Sequence, residues 1–282
     1  MSEEKNGIRN GKELILFILL VILSVLFLLP IFIVIMNSFK GKLYISEAPF
    51  KFLTKETFVK LDNYITGIRK TGFLQATGWS FFITISSVVT ILLFTSMTGW
   101  FITRIKNKFT NFLYYLFTFS MIVPFQMVMY TMTKMANSLH LDNPVGIIVI
   151  YLGFGAGLSV FMFCGFVKSI PLELEEAAMI DGCNPLQTYF RIVMPTLKPI
   201  VVTVGILMTM WIWNDYLLPY LVIGTEYKTI PIAIQYLKGG YGSIDMGAMM
   251  AMLVLAIIPI VIFYMTCQKF IIAGVVAGAI KG

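Results

Sequence analysis

Long apolar runs separated by short polar stretches dominate the chain. A helix needs about 20 mostly apolar residues to cross a bilayer. Six segments meet this requirement: roughly Leu14–Met36, Leu74–Thr103, Phe109–Thr133, Val145–Val167, Pro199–Ile223 and Met246–Gln268. Backbone polar groups surrounded by lipid must bond within their own segment, so the pattern predicts an all-α integral membrane fold. The short alternating segments of a β-barrel do not occur. Residues 1–282 read as a single transmembrane domain. The first run follows Lys5, Arg9 and Lys12, as a signal peptide would. It is too long for a signal h-region and no convincing small-residue cleavage site follows it, so it reads as a retained first span.

One polar island, residues 171–198, lies between the fourth and fifth runs. Pro171 disfavours helix at the residue before it. Glu173, Glu175 and Glu176 fall in the first turns of a new helix, where carboxylates suit the positive end of the dipole. Ala177 and Ala178 present little side chain, so another surface can approach closely. Gly182 fits a left-handed helix stop. Asn184-Pro185 reads as an N-cap with proline at the first helical position. Leu186, Tyr189, Phe190 and Val193 follow at helical spacing as one apolar face, and Met194-Pro195 ends the second helix. The prediction is a helix–turn–helix along the membrane face, with small residues at its tip. It can serve as a rigid peg in a partner's cleft or as an ordinary interfacial connector.

Composition agrees with the hydropathy pattern. Apolar residues make up 58% of the chain and charged residues 12%, with a mean hydropathy of +0.86. A net charge of +7 raises nucleic acid as a partner, but the basic residues sit in short loops beside apolar runs and form no stripe. They suit anionic headgroups better. Cys164, Cys183 and Cys267 have no metal-ligand spacing and read as reduced thiols. His140 stands as the single histidine, so neither a His-paired metal site nor a nucleophile–histidine dyad is predicted. Residues 7–12, GIRNGK, miss the spacing of a phosphate loop and lack the Ser or Thr after the lysine.

Asp215 is the one charged side chain inside a predicted span, which makes it a candidate for the translocation path. With Trp213, Asn214 and Tyr216 it forms a polar and aromatic candidate set for that path. The opposing reading is a structural helix-to-helix bond with an aromatic belt around it. Gly153, Gly155 and Gly157 predict a small-residue packing face on the fourth span.

The segment Glu176–Pro195, EAAMIDGCNPLQTYFRIVMP, resembles the cytoplasmic loop of binding-protein-dependent ABC import permeases. Matching positions are Glu176, Ala177, Ala178, Asp181, Gly182, Ile192 and Pro195. Cys183 and Met194 depart from the commoner Ala and Leu. The chain is most similar to the smaller permease of maltose-type, multiple-sugar systems. Lys60–Tyr64, Trp213–Tyr216 with Pro219, Thr229–Pro231, Tyr241-Gly242 and the tail Ala273–Gly282 carry that likeness.

The resemblance implies a six-helix type I importer permease whose loop docks on an ATP-hydrolysing partner. It implies a tail in which Gly278, Lys281 and Gly282 face the ATPase pair. Expected partners are a homologous second permease, two ATP-binding subunits, an extracellular solute-binding protein and lipid. ATP and magnesium would sit on the ATPase chains, with no cofactor on this one. Charge decides orientation poorly: with the amino terminus inside, eleven Lys and Arg lie inside and ten outside. The resemblance puts the loop, and with it both termini, in the cytoplasm. The expected function is ATP-driven carbohydrate import. The alternatives are a same-family importer of another solute and a self-sufficient carrier or channel. The carrier is disfavoured by the lack of further intramembrane carboxylates and of an inverted repeat. A membrane enzyme is disfavoured because no nucleophile–base set or paired carboxylates appear in the spans.

Overall fold

The computed structural model describes residues 2–237 and 244–279. Tyr241-Gly242, Lys281 and Gly282 therefore lie outside the described residues, while Gly278 falls within the last helix. Among the described residues the structure is helical, with an isolated antiparallel bridge between Lys40 and Phe58. Two compact units are formed, Met1–Phe73 with Ile234–Ile258, and Leu74–Ala233 with Pro259–Gly282.

The first unit starts with α1, Ser2–Ser38. Its apolar side chains from Leu14 to Phe32 are largely exposed, as a lipid-facing helix requires. After α1 the chain turns through α2, Lys42–Glu47, to α3, Asp62–Thr71. The Lys60–Tyr64 segment has a packing role here. The Asn63 amide donates to the carbonyls of Ser38 and Lys40, each at 2.8 Å. The Tyr64 hydroxyl lies 2.8 Å from that of Ser38 and its ring packs on Phe39. Buried Lys40 donates to the carbonyls of Ala48, Pro49 and Lys51. A β-carbon at Gly67 would come within 2.7 Å of Met252, so glycine there sets a close approach. Lys70 pairs with Asp245 at 2.6 Å.

The second unit contains most of α4, Phe73–Arg104, and then α5, Lys108–Ser120, α6, Phe125–Ser138, and α7, Gly146–Val167. The Asn107 side chain caps α5 in a reciprocal capping box with Thr110. The third predicted span is not one straight helix. Its two halves, α5 and α6, meet at 107°. Pro124 explains the break: it is extended (φ −63, ψ 135), supplies no N–H and biases the preceding residue away from helix. At 13 and 14 residues the halves measure about 20 Å each.

The glycines of α7 do not share one face. Gly155 packs on Ile91 and Met208, Gly157 on Phe117 and Ser120, and Gly153 faces open space. Neighbours two apart in a helix point about 200° apart, which splits the stripe between different partners.

The chain continues through α8, Glu173–Ile180, α9, Pro185–Thr188, a π turn over Tyr189–Val193 and α10, Met194–Thr196. Next come α11, Lys198–Asn214, α12, Leu217–Val222, α13, Ile230–Gln235, and α14, Met246–Ala279. Among the described residues four helices are long and apolar enough to cross a membrane, and up to six spans result if each bent pair counts as one. Within the second unit Ile91, Tyr151, Phe163, Tyr189, Leu197 and Val204 form a fully buried core.

Candidate functional site: the α8–α10 hairpin

Local chemistry builds the hairpin. Glu173, Glu175 and Glu176 lie in the first turn of α8. The helix ends in a Schellman motif: Cys183 N–H donates to the Ala178 carbonyl and Gly182 N–H to the Met179 carbonyl, each at 3.0 Å. Gly182 sits at φ +84, where residues with a β-carbon are strained. Asn184 then caps α9 in a capping box with Gln187, and Pro185 takes the first helical position. This matches the expected stop and restart.

Met194-Pro195 does not end the second helix. The backbone widens into the π turn and continues into α10, bending by 77° before α11. Pro195 gives the physical reason. Its ring would crowd the Arg191 carbonyl in a regular α-helix and it donates no hydrogen bond, and a wider turn just before it relieves both. The predicted apolar face also divides: Tyr189 and Val193 are buried, whereas Leu186 and Phe190 are exposed.

Glu176, Ala177, Asp181, Gly182 and Pro195 are exposed, and Ile192 is partly buried. Ala178 is buried, so of the two alanines Ala177 alone stays open to an approaching surface. Met179, Ile180, Leu186 and Phe190 add exposed apolar area on either side of the Gly182 turn.

The anchor of the hairpin lies in contacts that its sequence pattern does not reveal. Glu175 is buried, and Arg104 at the end of α4 pairs with it at 2.7 Å. Trp100 Nε1 donates to the second Glu175 oxygen at 2.9 Å. Arg104 also donates to the Ile170 carbonyl at 3.0 Å, tying in the end of the α7 connection. On the other limb, the Tyr189 hydroxyl lies 2.6 Å from that of Ser96, and its ring packs on Trp100 at 5.5 Å. Ser96, Trp100 and Arg104 recur at i, i+4 and i+8, a spacing visible in the sequence and carried by one helix face.

The candidate pathway residues disperse. Trp213 is buried with its ring against Phe81 at 4.8 Å. It lines an apolar cavity of about 290 Å³ with Phe81, Val88, Phe263 and the threonines Thr84 and Thr209. Exposed Asn214 donates back to the Met210 carbonyl at 2.7 Å. Asp215 ends α11 and caps α12, accepting from the N–H groups of Leu217 and Leu218 and from the Tyr151 hydroxyl. Tyr216 stacks on Tyr220 at 5.3 Å. Both Asp215 oxygens are thus satisfied by the chain itself, which favours its structural reading.

Comparison with known proteins identifies the family. Residues 92–276 match the family described as "Binding-protein-dependent transport system inner membrane component". The chain is 38% identical over 262 residues to the "Probable starch degradation products transport system permease protein AmyC" of Thermoanaerobacterium thermosulfurigenes, covering 93% of this chain and 94% of that one. It is 35% identical to the multiple sugar-binding transport system permease protein MsmG of Streptococcus mutans, covering 94% and 96%. A chain from the crystal structure of a bacterial ABC transporter involved in alginate import shares the fold, with a TM-score of 0.73 at 22% identity over 95% and 97% of the two chains. By its sequence and its helices, this chain belongs to the binding-protein-dependent inner membrane components, a family of multi-pass transport proteins.

Proposed function

We propose that the chain is the permease subunit of an ATP-driven carbohydrate importer, and that the α8–α10 hairpin docks on the ATP-binding subunits. The observation that carries this reading is the hairpin tip. Gly182 holds a left-handed turn between exposed Met179, Ile180, Leu186 and Phe190, an apolar surface with a tight apex. Glu176, Ala177, Asp181, Gly182, Ile192 and Pro195 contact or shape that interface, and Ala178 packs it from within. Movement of the hairpin switches the path between inward- and outward-facing states. The hairpin faces the cytoplasm, and both termini lie on that side. Gly278, Lys281 and Gly282 form a tail directed at the ATPase pair, where ATP and magnesium bind.

A homologous permease and an extracellular solute-binding protein complete the assembly. The family description supports the latter, as does a structure of an alginate transporter "in complex with alginate pentasaccharide-bound periplasmic protein", similar at a TM-score of 0.62. Relatives named for the transport of starch degradation products, multiple sugars and arabinooligosaccharides support an oligosaccharide as the solute. The Trp213 cavity contributes to its passage, not to its capture. A bound oligosaccharide needs many hydrogen-bond partners, and Thr84 and Thr209 are the hydroxyls in that lining.

Uptake of labelled maltotriose, raffinose and arabinotriose by vesicles carrying the purified complex tests the reading. ATP-dependent accumulation of one of them is expected. Accumulation driven by an ion gradient without ATP contradicts it.

A further inference from the structure

We infer that α4 is the direct mechanical receiver of the hairpin's movement, through the stripe Ser96, Trp100 and Arg104. The inference rests on the docking role proposed for the hairpin. It differs from a scheme in which movement passes only to the sequence neighbours of the loop, α7 and α11.

Both limbs of the hairpin are held by one face of α4. Before the turn, the Glu175 carboxylate takes an ion pair from Arg104 and a hydrogen bond from Trp100. After the turn, Tyr189 meets Ser96 through its hydroxyl and Trp100 through its ring. Trp100 therefore touches both limbs. Glu175 and Tyr189 are 1% and 0% exposed, and Arg104 is 18% exposed, so the acceptor side of these contacts is buried. Charge-assisted bonds to a buried carboxylate are short and directional, unlike fully exposed pairs that rearrange with little cost. Two separated attachments along a helix also resist rotation, which a single attachment does not. The hairpin and the adjoining end of α4 thus form one rigid body, whereas the tip residues that would meet a partner remain free.

The test uses the complex extracted from its own membrane, with nitroxide spin-label pairs on exposed positions after replacement of the native cysteines. One pair joins Gln187 on the hairpin to Phe94 on α4, and a reference pair joins Gln187 to Tyr130 on α6. Separations are measured with ADP and after trapping with ATP and vanadate. The expected result is a reference separation that changes with nucleotide and a Gln187–Phe94 separation that does not. A shift in both pairs overturns the inference and leaves the docking role standing. No shift in either pair overturns the inference, because the hairpin then does not move relative to the rest of the chain, and the docking role is decided separately by retention of the ATP-binding subunit. In the Glu175→Gln variant the Gln187–Phe94 separation should become nucleotide-dependent, and a separation that stays constant removes the ion pair from the mechanism. If that variant fails to assemble, Tyr189→Phe, which removes one hydroxyl, decides by the same criterion.

Discussion

Replacing Gly182 by alanine and by leucine separates strain inside the hairpin from collision with a partner. At φ +84 any β-carbon costs about 1–2 kcal/mol. Among the described residues, a β-carbon there meets no atom within 4 Å beyond its own chain neighbours. The two variants therefore carry the same internal penalty, and the extra atoms of leucine project into space that this chain leaves open. Thermal unfolding of the permease in detergent should show equal losses for both. Asparagine, which tolerates the left-handed region, should recover most of that loss. Assembly should diverge. Overpacking a close interface costs about 1–3 kcal/mol, so leucine should weaken association with the ATP-binding subunit about tenfold or more beyond alanine. The assay is the amount of that subunit retained by each variant as salt and detergent are raised. Equal retention by Gly182→Ala and Gly182→Leu would refute the argument, because it would leave nothing packed against the turn.

Arg104→Ala strands a buried carboxylate and should cost about 3 kcal/mol, with part recovered in the Arg104→Ala/Glu175→Ala double variant, as read by thermal unfolding. Asp215→Asn keeps an acceptor for the Leu217 and Leu218 N–H groups and should transport nearly as wild type, whereas Asp215→Ala should lose about 1 kcal/mol of stability. A transport loss in Asp215→Asn at unchanged stability would restore its pathway role. Burial pushes the Asp245 carboxyl up. The hydrogen bonds from Lys70 and the Ala248 N–H, with the charges of Lys70 and Lys42, outweigh burial and hold it below its usual value. A lowered folded pKa means the stabilisation is complete above the unfolded value near 3.9 and is lost as pH falls through the lower folded one. Stability should therefore not respond to Asp245→Asn as a pH effect between pH 5 and 8. The difference between wild type and variant, at most about 1 kcal/mol for so exposed a pair, should shrink below about pH 4.

The helical membrane fold was legible because hydropathy reports burial in lipid, and α1, α4, α7 and α14 each follow an unbroken run. The bend in the third span is not legible in hydropathy, because both halves are apolar and hydropathy does not register direction. Pro124 carries the bend through its missing N–H and its effect on the preceding residue. The hairpin's stop at Gly182 and restart at Asn184-Pro185 were legible because both are local backbone chemistry. The π turn was not, because it answers Pro195 from inside a helix that keeps its apolar spacing. Leu186 with Phe190 and Tyr189 with Val193 are equally apolar pairs at i, i+4. What separates them is the tertiary core: Tyr189 and Val193 are buried in it, Tyr189 against Ser96 and Trp100 of α4, whereas Leu186 and Phe190 are exposed. Arg104 and Glu175 illustrate the same limit: each reads locally as a loop charge or a helix-dipole residue. Their partnership bridges 71 positions and exists only after α4 and α8 meet.

The central claim is that the hairpin joins this chain to an ATP-hydrolysing partner. The most direct measurement is mild extraction from the native membrane, with quantification of the chains that co-purify with the wild type and with a Glu176→Ala/Gly182→Leu double variant. The account predicts a second permease with both, and stoichiometric ATPase with the wild type alone. A chain that purifies by itself in both cases, or an ATPase retained equally by the variant, would contradict it.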